Sequence, residues 1–163
     1  MPIAHVRGVA LYYEVHGSGF PLLLIGALGA SVPLHRELVA GLAAHGVIAF
    51  DNRGSGRSDK PDIPYSIQMM ALDALGLMGA LGIEQTDIVG ISMGGRIALE
   101  IAADHPARVR KLVLVSTSAA GTGHLRMSLP MRLVGLLIGL RGLRRLAPQP
   151  PYAHLRQRQA ATG

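Results

Sequence analysis

A glycine-flanked serine, set between a strand pattern and a helix pattern, constrains this chain more than any other feature. Residues 86–89 read as a short strand, Gly90-Ile91-Ser92-Met93-Gly94-Gly95 follows, and residues 93–104 carry helical spacing that closes at His105-Pro106. A strand that hands over to a helix in so few residues leaves space only for glycine beside the crossing. A serine there sits in a strained backbone that presents its hydroxyl at the C-terminal edge of a sheet. The helix that follows aims its positive dipole at any anion forming above it. Alone, G-x-S-x-G also describes an ordinary glycine-rich turn; the strand before it and the helix after it favour the chemical reading.

The same alternation of short apolar runs and longer helical patterns recurs along the chain, which implies βαβ units around a mostly parallel sheet. The start differs: residues 3–7 and 9–16 flank Gly8 and read as an antiparallel pair, with Gly17-Ser18-Gly19 turning into Leu22-Leu23-Leu24-Ile25. That last run is wholly apolar, as a strand covered on both faces should be. A helix is expected over residues 32–44, then a strand over 47–50 ending at Asp51. Ser66 should N-cap a helix that stops at Gly82, and a sixth strand should span residues 109–115. The expected architecture is a doubly wound α/β core over residues 1–120. Residues 121–163 begin a helical cap or lid, because Leu129, Leu133, Leu136, Leu140 and Leu143 fall on one helical stripe.

Composition excludes several classes. With 163 residues, 49% hydrophobic and 16% charged, the chain can bury a core and is not an intrinsically disordered tail. The absence of cysteine removes disulfide scaffolds, thiolate metal sites and a cysteine nucleophile, and fits a reducing, cytoplasmic setting. The net charge of +6 comes from one end, since residues 121–163 hold seven arginines and no acid. Only Tyr152 lies among them, so stacking or groove-reading of nucleic acid is not expected. The N-terminus lacks an apolar signal core. The longest uncharged stretch, residues 17–35, is interrupted by Gly17, Gly19, Pro21, Gly26, Gly29 and Pro33, which argues against a membrane span. The scattered histidines have no H-x-x-x-H or H-E-x-x-H spacing, so no metal or other cofactor is expected.

Two further loops carry chemical signals. Gly26-Ala27-Leu28-Gly29-Ala30 can turn a backbone N–H toward the serine, so that the Leu28 and Met93 N–H groups would form an oxyanion hole; glycines needed only for turn geometry are the plainer alternative. Asp51-Asn52-Arg53-Gly54-Ser55-Gly56-Arg57-Ser58-Asp59 matches neither phosphate-loop pattern and reads as structural. In that reading Asp51 and Arg53 hydrogen-bond the loop while Gly54 and Gly56 let it bend.

With these three motifs in this order, the chain resembles the α/β-hydrolase superfamily from about residue 9 through residue 118. Asp51-Asn52-Arg53-Gly54-Ser55-Gly56-Arg57-Ser58 is similar to the D-x-R-G-x-G-x-S loop of its esterase, enol-lactonase and haloperoxidase-like members. The resemblance implies Ser92 as nucleophile, Leu28 and Met93 as oxyanion positions, and a small carboxylic ester or lactone as substrate. Many relatives have His-Gly where this chain has Gly26-Ala27. A serine at the elbow argues against the dehalogenase and epoxide-hydrolase branches, which look for aspartate there.

The family mechanism also needs an acid and then a histidine after the serine. The carboxylates after Ser92 are Glu100 and Asp104, both on the helix that starts at the nucleophile, and no acid follows Asp104. His105 reads as a helix end, His124 and His154 as cap residues, and His5, His16, His35 and His45 as loop or surface residues. The economical expectation is the N-terminal portion of a hydrolase, without its last two strands and nearly inactive as it stands. The competing expectation is a non-catalytic protein that uses the Arg- and Leu-rich segment 126–146 to contact an acidic or lipid surface. Oligomeric state is not readable from the sequence.

Overall fold

The computed structural model describes residues 2–118. Six strands form one sheet in the order β1-β2-β4-β3-β5-β6: β1 (Ile3–Val6), β2 (Val9–His16), β3 (Pro21–Ile25), β4 (Gly46–Phe50), β5 (Thr86–Ile91) and β6 (Val109–Val115). β1, β2 and β4 pair antiparallel, whereas β4, β3, β5 and β6 run parallel. The helices are α1 (Arg36–Gly41), α2 (Ile67–Ala80) and α3 (Met93–Asp104). The expected cap, with its leucine stripe and the segment 126–146, lies outside the described residues.

Local chemistry accounts for the elements. Arg7 and Gly8 both have positive φ, 49° and 78°, the turn that matches the twist of a two-residue hairpin and joins Val6 to its partner Val9. Side chains alternate along the parallel strands and feed two cores. Leu23 and Ile25 of β3 join Ile48, Phe50 and Ile88 against Leu77 of α2 and Ile97 and Ile101 of α3. Leu22 and Leu24 pack on the other face with Val47, Ala49, Val89, Val32 and Val39 of α1. Ser66 caps α2 as expected, its Oγ accepting the Met69 N–H at 3.0 Å.

The helix expected over residues 32–44 is shorter and begins differently. Val32–His35 forms a 3₁₀ turn with Pro33 in its first turn, and α1 ends at Gly41. The chain beyond folds back on β3's entry, because the Ala43 and His45 carbonyl oxygens press on Gly17 so closely that a side chain there could not fit. Glycine at position 41 offers no resistance to that early stop.

At the opposite edge, β6 is anchored to β5 by Arg110, which grips the Asp87 carboxylate with Nε and Nη2 at 2.8 and 2.6 Å and lies 3.6 Å from the Phe20 ring centroid. Among the described residues β6 is the sheet edge, with Val113, Leu114 and Val115 exposed.

The loop after β4 bends at Gly54 and Gly56, both at positive φ, as expected, but Arg53 does not bond within it. Arg53 reaches α2, where it pairs with both oxygens of Asp73 and also contacts the Met69 sulfur at 2.8 Å. Both partners are buried, so removing one strands a charge away from water. Asp73→Ala is expected to lose about 3–5 kcal/mol in urea unfolding, and Arg53→Met combined with Asp73→Leu to recover most of it.

Candidate active site

Ser92 sits at the junction of β5 and α3 with φ 53° and ψ −113°, a conformation that costs a non-glycine residue about 1–3 kcal/mol. The residue is exposed, whereas Met93 beside it is buried. Its backbone is held from both sides. The Ser92 N–H donates to the Val115 carbonyl at 2.8 Å, and the Ser92 carbonyl accepts from the Gly95 N–H at 3.0 Å and from Thr117 Oγ1 at 2.7 Å. The flanking glycines answer to space. A Cβ on Gly90 would lie 2.6 Å from the Gly94 oxygen, and one on Gly94 would collide with the Ile25 carbonyl and lie 2.7 Å from the Gly26 oxygen. The first turn of α3 therefore abuts the C-terminal end of β3, where the Gly26–Ala30 loop begins.

That loop is a tight turn. The Ala30 N–H donates to the Ala27 carbonyl at 3.0 Å, and Gly29 has φ 70° while Leu28 does not share the positive sign. This is the type II arrangement, in which the N–H of Leu28 takes no part in the closing bond. Leu28 is 37% exposed.

Asp51, fully buried at the end of β4, ties the loops together. Its Oδ1 accepts the Val32 N–H at 2.7 Å, at the start of the 3₁₀ turn, and its Oδ2 accepts the Arg57 N–H at 2.7 Å. Ser58 Oγ in turn donates to the Asp51 carbonyl at 2.6 Å. The sequence placed Asp51 in the loop's own hydrogen bonding; its reach back to Val32 is an additional role that spacing could not disclose.

The 3₁₀ turn that Asp51 caps ends at His35, a half-buried residue whose ring makes a contact that the expectation of a loop or surface histidine did not include. His35 packs its ring onto Gly26, where a Cβ would lie 2.7 Å from Nε2, and Nε2 is buried with no hydrogen-bond partner among the described residues. No local pattern distinguishes such a histidine from an exposed one, because its neighbours come from a loop nine positions earlier in the chain. Burial lowers its pKa below the ordinary histidine value, an effect the Asp51 charge opposes.

The remaining polar candidates lie elsewhere. Glu100 and Asp104 are on α3 as expected, about 12 and 18 Å along the axis from Ser92 at 1.5 Å per residue. His16 pairs with Glu14 on β2 at 2.9 Å, and His105 ends α3, its N–H donating to the Ile101 carbonyl at 2.8 Å. Among the described residues no group of three or more His, Asp or Glu is arranged to hold a metal ion.

Residues 21–162 match the family described as alpha/beta hydrolase fold, and the chain belongs to that family. Its relatives are hydrolases. The chain is 40% identical over 133 residues to a protein of Azorhizobium caulinodans provisionally named carbamate hydrolase RutD, covering 81% of this chain and 50% of the relative. It is 43% identical over 116 residues to the 2-hydroxymuconate semialdehyde hydrolase of Pseudomonas sp. CF600, covering 68% of this chain and 41% of the relative. The crystal structure of the enol-lactonase from Burkholderia xenovorans LB400 superposes with a TM-score of 0.70 at 35% identity, over 72% of this chain and 47% of that one. The chain thus spans about half the length of the relatives it matches.

The half-buried His35 gives the protein a pH-dependent stability of definite sign. The unfolded chain's histidine takes up a proton near pH 6.5, which the folded protein resists. His35 therefore costs no stability above about pH 6.5 and subtracts from it as pH falls below that value. Urea midpoints are expected to drop between pH 7.5 and pH 5.5, and His35→Gln to remove part of that drop. Asp87, lowered by its bonds from Arg110, and Glu14, lowered by its bond from Tyr12, act in a separate window below about pH 4.5.

Proposed function

We propose that this chain carries the nucleophile and the oxyanion-stabilising part of a serine hydrolase for small carboxylic esters or lactones. The observation that carries the reading is the exposed Ser92 at φ 53°, ψ −113° on the N-terminus of α3. Ser92 Oγ forms a bond to the substrate's acyl carbon as its hydroxyl proton passes to a base that the described residues do not supply and that later hands it to the leaving group, while the carbonyl π pair moves onto oxygen. The resulting oxyanion meets the Met93 N–H, one of the donors left free at a helix start, and the Leu28 N–H from the facing loop. Collapse breaks the bond to the alkoxy group, which leaves with a proton, and water then releases the acid from the acyl-enzyme. Carbamates and enol-lactones, named for two of the relatives, present the same carbonyl carbon and make the same demand on the two amides. Glu100 and Asp104 lie too far down α3 to orient a base over Ser92, so neither is assigned the triad acid. No cofactor is required by these steps.

The alternative, a non-catalytic protein that contacts an acidic or lipid surface through residues 126–146, rests on a segment outside the described residues. Among the described residues no helix is long and apolar enough to cross a membrane, which leaves surface contact untouched.

Two measurements on the full-length protein that carries this sequence test the proposal. An alkyl fluorophosphonate is expected to label it covalently, and Ser92→Ala to abolish labelling; labelling that persists in Ser92→Ala rejects the assignment. Leu28→Pro removes one N–H at the position of a type II turn that proline favours. It is expected to slow labelling by about 10²–10³-fold, the usual cost of one oxyanion donor, without lowering the unfolding midpoint.

A further inference from the structure

Thr117 belongs to none of the three sequence motifs, yet its side chain is joined to the backbone of the elbow. Oγ1 donates to the Ser92 carbonyl at 2.7 Å, and the Ser92 N–H ends on Val115 at 2.8 Å. Both backbone groups of the strained serine are thereby held by one short stretch, the end of β6 and the two residues after it. Ser116, between them, has φ 50°, which turns the chain back over the elbow. The approach depends on Gly95: a Cβ there would lie 2.6 Å from Thr117 Cβ and 2.7 Å from its Oγ1.

The Ser92 carbonyl and the Met93 N–H are opposite ends of a single planar trans peptide unit. A donor seated on the carbonyl fixes the tilt of that plane, and by drawing charge toward oxygen it makes the N–H at the other end a stronger donor. The Gly95 N–H already occupies one lone pair of the Ser92 oxygen at 3.0 Å, and the Thr117 hydroxyl takes the second, which completes the acceptor's capacity. We propose that Thr117 is a positioning residue of this hydrolase, orienting and polarising the Met93 peptide so that its N–H faces the oxyanion. The inference rests on the reading of Ser92 and Met93 given above. It adds a role for a side chain that touches neither substrate nor the reacting hydroxyl.

Thr117→Val keeps the shape against Gly95 and deletes the donor; Thr117→Ser restores it. In the full-length protein, Thr117→Val is expected to slow Ser92 labelling by an alkyl fluorophosphonate about three- to tenfold, the reach of one hydrogen bond, and Thr117→Ser to recover most of the rate. The carbonyl-carbon resonance of Ser92 and the amide resonance of Met93 should both move in Thr117→Val and stay near their original positions in Thr117→Ser. Gly95→Ala, which displaces the threonine without altering it, is expected to reproduce both effects should Thr117→Val fail to fold. Unchanged labelling with unmoved resonances in Thr117→Val overturns the proposal. Equal losses in Thr117→Val and Thr117→Ser also overturn it, since packing and not the hydroxyl would then carry the effect. If the unsubstituted protein is not labelled at Ser92, the nucleophile assignment falls, while the paired resonances still decide whether Thr117 sets the Met93 peptide.

Discussion

A serine with positive φ persists only because its surroundings leave it no alternative. At Ser92 the restraint is a pair of hydrogen bonds from the far end of β6, one accepting the N–H at Val115 and one donated to the carbonyl by Thr117. Two hydrogen bonds, each worth about 1 kcal/mol net, are of the size needed to offset the backbone strain of about 1–3 kcal/mol. The parallel pairing of β5 with β6, running from Thr86 to Ile91, is what brings that end within reach. The elbow is thus a property of two neighbouring strands and not of the pentapeptide that marks it.

Asp51 has the same kind of reach on the other side of the site. A carboxylate with no exposure must have its lone pairs occupied, and it finds donors in Val32 and Arg57, on either side of its own position in the chain. Through Val32 it fixes the start of the 3₁₀ turn whose last residue, His35, bears on Gly26. The loop that carries Leu28 therefore inherits its placement from the end of β4.

Much of this was legible in the amino-acid order, and the exceptions have a common cause. The limits of α3 and β6, the cap at Ser66 and the hairpin at Gly8 follow from local signals: a proline after a helix, a hydroxyl three residues before an N–H, a glycine where φ must be positive. The serine motif, with the loops at Gly26 and Asp51, was enough to indicate the family. What escaped was contact at a distance. His35 looks like a surface residue until Gly26 is folded against it, Arg53 looks like a loop residue until α2 brings Asp73 to it, and Thr117 lies in an unremarkable Ser116-Thr117-Ser118 run. The helix expected over residues 32–44 failed for a related reason, because Gly17 admits the Ala43 and His45 carbonyls and the chain leaves the helix to meet it.

The bond from Asp51 to Val32 has a consequence for anyone who would recombine this scaffold with its relatives. The segment from Gly26 to His35 and the segment from Asp51 to Ser58 are separate in sequence but share one carboxylate, so neither can be transplanted as an autonomous cassette. A graft that moved the first without a matching acid at the end of β4 would leave the donor at the start of its 3₁₀ turn unanswered. One that moved the second alone would supply an acid with nothing to hold, and chimeras between these proteins should exchange the two segments together.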